Sequence, residues 1–135
     1  MKFNKLIPEL TVSHIDKSKE FYIEVLGFEL EYERLENKFA FISLKECQIM
    51  LQEKTDSAKW DKSLLEYPFG RGINFQIDVE NIDDIYSSII NKGYKIEVDI
   101  EFNEYRENDK IWKEKEFLIR DPDGYLLRFA QTLNY

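Results

Sequence analysis

One histidine and one cysteine limit the chemistry open to this chain before any fold is considered. With His14 alone, no imidazole acid–base pair and no multi-histidine metal site can form. With Cys47 alone, no intramolecular disulfide and no cysteine-based zinc site can form. Cys47 lies in a stretch of alternating apolar residues, which predicts a buried structural thiol. The sequence has no glycine-rich phosphate loop and no grouping of nucleophile, base and orienting residue. What it offers instead is rings and carboxylates. Ten Phe, eight Tyr and two Trp in 135 residues are more than a core of this size needs, so some should line a pocket or an interface. Rings contribute roughly 0.5–2 kcal/mol each through stacking or cation–π contact, and carboxylates attract cations. The chemistry this supports is recognition of a small molecule, with a cationic one attracted by the acidic surface.

Charge narrows the partners further. A net charge of −8 repels phosphate backbones, which argues against nucleic acid. No apolar run reaches the roughly 18 residues of a membrane span, so no membrane partner is expected. Residues 1–5 (MKFNK) lead straight into a strand pattern with no leader-like apolar segment, so the expected location is cytoplasmic.

The elements that must position these residues can be read from periodicity. A first strand covers 6–12, and Pro8, which cannot donate to a ladder, puts it at an edge. A helix follows, capped by Ser13 or His14, with Ile15, Phe21, Tyr22, Val25 and Leu26 mostly on one face and Gly27 as its stop. Strands are predicted at 28–35, 39–44 and 48–52, the last two joined through Lys45-Glu46. The polar stretch 53–66, which carries Trp60, reads as a linker. A strand at 73–79 alternates cleanly, with Phe75, Ile77 and Val79 on one side and Asn74, Gln76 and Asp78 on the other. A helix at about 82–92 opens on Asn81, with Asp84 three residues later, and ends at Gly93. Strands at 94–102, 112–120 and 125–132 complete the chain, with 103–110 as a loop and Asp121-Pro122-Asp123-Gly124 as a tight turn. In the segment before strand 73–79, Gly70 and Gly72 suit a close approach or a turn.

The two halves repeat one another. Val12-Ser13-His14-Ile15-Asp16 matches Val79-Glu80-Asn81-Ile82-Asp83, and Gly27-Phe28 matches Gly93-Tyr94. Each half reads β-α-β-β-β. The prediction is an α+β chain forming a single domain, with modules at about 5–52 and 73–132 joined by linker 53–72.

These segments together resemble the vicinal-oxygen-chelate superfamily of glyoxalases, bleomycin-resistance proteins and dioxygenases. The resemblance is carried by TVSHIDKSKEFYIEVLGF at 11–28, IDVENIDDI at 77–85 and FLIRDPDGYLLRF at 117–129. It implies tandem βαβββ modules that form a curved mixed sheet with the helices on the outer face. Enzymes of the superfamily hold a divalent metal, and the positions their ligands would take are Ile7, Asn74, Arg128 and, for a fourth, Met50. Isoleucine cannot ligate and arginine carries no acceptor, so the resemblance brings no metal and no cofactor to this chain. Glu9, on the same face as Ile7, would be the way to a shifted site.

Where it departs from the enzymes the chain resembles the bleomycin-resistance branch, in IPELT at 7–11 and WKEKEF at 112–117, although Lys113 stands where that branch has glycine. That branch implies a homodimer with a stacking ligand in the interface groove, and assigns the stacking role to Trp112 and Phe39. Strand parity places Trp112, Glu114 and Glu116 on one face, as it does Glu9 with Thr11, and puts Arg128 opposite Leu127 and Phe129. The expected ligand-binding set is Glu9, Phe39, Phe41, Trp60, Asn74, Trp112, Glu116 and Arg128. The competing readings are carboxylates paired with Arg128 and Arg71 as structural ion pairs, and Trp112 as a core or interface residue. A superfamily enzyme of lyase, isomerase or dioxygenase type with a shifted or absent metal site is the alternative function, and a regulatory domain is a third.

Overall fold

The computed structural model describes residues 1–55 and 65–135, which form two compact units, Met1–Phe69 and Gly70–Tyr135. The first unit runs β1 (Glu9–Val12), α1 (Ile15–Lys19), β2 (Glu29–Arg34), β3 (Phe39–Leu44) and β4 (Cys47–Glu53), with α1 continuing as a π-helical segment over Glu20–Val25. Its sheet has the order β1-β4-β3-β2, with β1 parallel to β4 and the other pairs antiparallel. The second unit runs β5 (Asn74–Asp78), α2 (Ile82–Asn91), β6 (Val98–Glu107), β7 (Lys110–Arg120) and β8 (Leu126–Thr132). Its sheet has the order β5-β8-β7-β6, with β5 parallel to β8. Each unit is therefore the expected β-α-β-β-β sequence folded into a four-stranded mixed sheet, and the α+β class holds. No helix among the described residues is long and apolar enough to cross a membrane.

Burial explains why these segments fold as they do. In the first unit Phe21, Tyr22, Val25 and Leu26 are buried, and the Tyr22 ring meets Phe21 and Phe28 edge-on at 5.4 Å. Gly27, at φ +87°, turns the chain out of the helix. In the second unit Ile77, Ile82, Ile89, Phe117, Ile119, Leu127 and Phe129 form the core. The Asn81 side chain accepts from the Asp83 amide at 3.2 Å, and Gln131 Oε1 accepts from the Ile82 amide at 2.9 Å, so α2 is capped from its own start and from β8. The turn at 121–124 is held by Asp121 Oδ1, which accepts from the amides of Asp123 (3.0 Å) and Tyr125 (2.9 Å). Gly70 is needed for space: a Cβ there would lie 2.5 Å from the Tyr125 ring.

Three expectations are corrected. The first strand starts at Glu9, because Pro8 leaves the ladder on that side unfilled and Leu6 is 85% exposed. Residues 103–110 are not a loop. β6 runs on to Glu107, the turn is Asn108-Asp109 with Asn108 at φ +53°, and β7 begins at Lys110. That end of the hairpin is mostly exposed on both faces, so its pairing is made by backbone hydrogen bonds, and the apolar alternation that signals a strand is missing. Cys47 is half-buried, not buried, because it opens β4 beside the Lys45-Glu46 turn.

Candidate functional site

Cross-strand register shows which side chains share a face. In the first unit Glu9, Met50, Phe41 and Tyr32 form one row, and Thr11, Gln52, Phe39 and Arg34 form the next. The opposite face carries Leu10, Leu51, Ala40 and Glu33, and Lys19 of α1 reaches Glu33 at 2.9 Å. Glu9, Phe39 and Phe41 therefore lie on the face turned away from the helix. Tyr32 stacks on Phe41 (5.2 Å, 13°), Phe3 meets Phe41 edge-on at 5.4 Å, and the Arg34 guanidinium lies 4.1 Å above Phe39. Phe41 is 1% exposed and Phe39 4%, so both rings are buried.

In the second unit the rows are Tyr105 with Trp112; Asn103 with Glu114 and Thr132; Glu101 with Glu116, Ala130 and Asp78; and Leu118 with Arg128 and Gln76. Asn74 pairs with Leu126 on the same face. The other face carries Phe117, Phe129 and Ile77 under α2, where Tyr86 packs edge-on against Phe117 at 5.5 Å. Asn74, Trp112, Glu116 and Arg128 thus share the face away from α2: parity within β7 aligns Trp112 with Glu116, and the register of β7 with β8 and β8 with β5 adds Arg128 and Asn74.

The chemistry of that face centres on Glu116. Its side chain is 5% exposed, and Oε1 accepts from Asn103 Nδ2 at 2.7 Å and from the Tyr105 hydroxyl. A buried carboxylate needs such donors to offset its lost hydration. The Tyr105 phenol is in turn held above its ordinary range, first because it donates to Glu116, then by burial and by the carboxylate's charge, with Arg128 opposing. Arg128 Nε is buried and has no partner among the described residues. Glu114 accepts from the Thr132 hydroxyl at 2.9 Å. Trp112 donates its indole N–H to Glu107 at 2.9 Å, lies under Lys110 Nζ at 4.6 Å and meets Tyr135 at 5.9 Å. Asn74 is exposed at the start of β5. Trp60 lies outside the described residues.

Sequence reasoning missed Asn103 and Tyr105 because 103–110 read as a loop. It missed Tyr32 and Arg34 because the 28–35 strand alone does not show which residues it faces; beyond a bulge between Leu30 and Tyr32, register sets them against Phe41 and Phe39. The donor set at the superfamily's metal positions does not fit a metal. Ile7 and Arg128 offer no lone pair, and among the described residues no group of three or more His, Cys, Asp or Glu side chains could hold one. The first unit also has a cleft of about 250 Å³ lined in part by Lys19, Glu33, Lys38, Phe39 and Glu53. Both of its lysines are paired, Lys19 with Glu33 at 2.9 Å and Lys38 with Glu53 at 3.1 Å.

A bleomycin resistance protein of Geobacillus stearothermophilus is 32% identical, over 94% of this chain and 96% of its own length. The same figures hold for a bleomycin resistance protein of Staphylococcus aureus strain MRSA252. Among solved structures, a virulence protein from Salmonella typhimurium is 24% identical, with 98% of this chain and 100% of that one covered at a TM-score of 0.71. A glyoxalase/bleomycin resistance protein/dioxygenase from Alicyclobacillus acidocaldarius is 20% identical, with 97% and 92% covered at 0.66. These two structures carry the fold alone. Residues 4–129 match the Glyoxalase/Bleomycin resistance protein/Dioxygenase superfamily, and the chain belongs to that family.

Proposed function

We propose that the chain is a non-catalytic binding protein that sequesters a planar, positively charged small molecule in the cytoplasm, with bleomycin-type glycopeptides as the leading class. The observation that carries this reading is 32% identity over nearly the whole chain to proteins named for bleomycin resistance. The two units act as one domain, and a second copy of the chain completes the groove. Phe39, Phe41, Trp60 and Trp112 supply rings, while Glu9 and Glu116 supply negative potential. Asn74 and Arg128 complete the polar lining. Two features support binding over catalysis: metal-ligand positions that hold Ile7, Asn74 and Arg128, and a buried carboxylate already engaged by Asn103 and Tyr105.

The test is calorimetric titration of the purified protein with bleomycin, with and without a chelator, alongside light scattering for the dimer. Quenching of Trp112 fluorescence, isolated in a Trp60→Phe variant, reports proximity. Saturable heat that is insensitive to chelator, together with quenching, is expected. No heat and no quenching at high micromolar bleomycin removes this ligand class. A stoichiometric divalent ion whose removal abolishes an activity replaces the binding reading with an enzymatic one.

A further inference from the structure

The two rings assigned to stacking each carry a cation from their own unit. Arg34 Cζ lies 4.1 Å from the Phe39 centroid and 5.7 Å from that of Tyr32, and Lys110 Nζ lies 4.6 Å from the centroid of Trp112. Arg34 and Phe39 are direct cross-strand partners, and Lys110 precedes Trp112 by two residues on the same face of β7. Each cation is thus placed by strand geometry over the ring assigned to stacking, Arg34 also lying within reach of Tyr32.

Among the described residues neither Arg34 nor Lys110 forms an ion pair, whereas Lys19, Lys38, Lys115 and Arg120 do. Besides the ring, Lys110 reaches the Asn134 carbonyl at a long 3.5 Å. A third cation over a ring behaves differently. Lys115 lies 5.6 Å from Phe102 on the α2 side and is fixed by both carboxylate oxygens of Asp83, at 2.9 and 3.1 Å. Arg34 is exposed while the ring beneath it is 4% exposed, so a solvent-facing side chain shields an apolar ring. An unfastened side chain of this kind can swing away at little cost beyond the ring contact itself.

We propose that Arg34 and Lys110 are intramolecular stand-ins for the ligand's positive charge, occupying the cation seats on Phe39 and Trp112 until a planar cation displaces them. The inference rests on the reading that these rings stack against the ligand. Exchanging one cation for another keeps the electrostatic attraction to the ring. A neutral ring would expel the side chain and gain none of that attraction, so the seats select for a delocalised cation. The stand-ins also lower the affinity, because each has to be displaced. An exposed cation–π contact corresponds to a factor of roughly three to five in a binding constant.

The probe is proflavine, a flat aromatic cation, titrated into the full chain and followed by its fluorescence. Arg34→Ala and Lys110→Ala are each expected to bind it roughly three- to fivefold tighter than the unaltered chain, and the double variant roughly tenfold or more. Adding Phe39→Leu to Arg34→Ala cancels that variant's gain, and Lys115→Ala leaves the affinity unchanged. In the unaltered chain, the Arg34 Nε–H proton resonance, shifted upfield by the Phe39 ring, returns to its free position as proflavine saturates. Binding of proflavine by the unaltered chain with equal or weaker binding by Arg34→Ala and Lys110→Ala overturns the stand-in role and leaves the binding function intact. Absence of proflavine binding to every form overturns the stand-ins, and absence of bleomycin binding as well overturns the function with them.

Discussion

Removing the donors of Glu116 one at a time tests whether that carboxylate is held as the geometry indicates. Glu116 is 5% exposed, and one oxygen receives both Asn103 Nδ2 and the Tyr105 hydroxyl. A hydrogen bond to a charged group contributes about 1.5–3 kcal/mol. Tyr105 is 43% exposed, so water partly replaces its hydroxyl, and Tyr105→Phe should cost about 1 kcal/mol. Asn103→Ala should cost a similar amount, about 1 kcal/mol. The double variant leaves the same buried oxygen without either donor. Its loss should therefore exceed the sum of the singles by about 1 kcal/mol or more, since the first deletion leaves one donor in place and the second leaves none. Urea unfolding of the four proteins measures this directly, provided the slope with denaturant stays constant across the set. Additivity within about 0.5 kcal/mol would refute the shared-oxygen argument, and a Tyr105→Phe loss near zero would refute the hydrogen bond itself.

Alkaline pH gives a second check. Tyr105 is raised above the ordinary phenol value of 10.0, chiefly by donating to Glu116, and Tyr86 is raised chiefly by donating to Asp99 at 2.8 Å. A raised acid keeps its proton in the folded state after the unfolded chain has lost it. The stability these groups add is therefore full below that value and lost as pH rises through the folded one. Unfolding titrations above that pH should show a shallower alkaline loss in Tyr105→Phe than in the unaltered chain, and an equal slope would contradict the assignment. A third expectation concerns Gly70, at φ +66° with the Tyr125 ring 2.5 Å from where a Cβ would stand. Gly70→Ala should destabilise by roughly 2–4 kcal/mol from left-handed strain plus overpacking, and Tyr125→Leu in the same chain should recover part of it. Unfolding free energies of the two variants decide it.

Much of the architecture follows from the order of residues because its causes are local. The helix stops at Gly27 and Gly93, the cap at Asn81, the turn at Asp121-Pro122-Asp123-Gly124 and the alternation of 74–78 are each set by a few neighbouring side chains, and each stands in the structure where local rules put it. Parity along a strand likewise put Trp112 with Glu116 and Phe39 with Phe41, while the pairing of strands brought Asn74 and Arg128 to the face of the first two and Glu9 to the face of the second two.

What a strand cannot determine alone is its neighbour. The β6–β7 hairpin extends through 103–110 because backbone groups pair across it, while its exposed, charged side chains carry no burial signal. Only that pairing brings Asn103 and Tyr105 onto the Glu116 oxygen. The bulge in β2, one residue out of step with β3, carries Arg34 over Phe39 and Tyr32 onto Phe41. The sequence thus identified rings and carboxylates as the chemistry of this chain. Tertiary pairing decided which carboxylate is engaged and which rings carry a cation, because those contacts join residues whose separation in the chain says nothing about their distance in space.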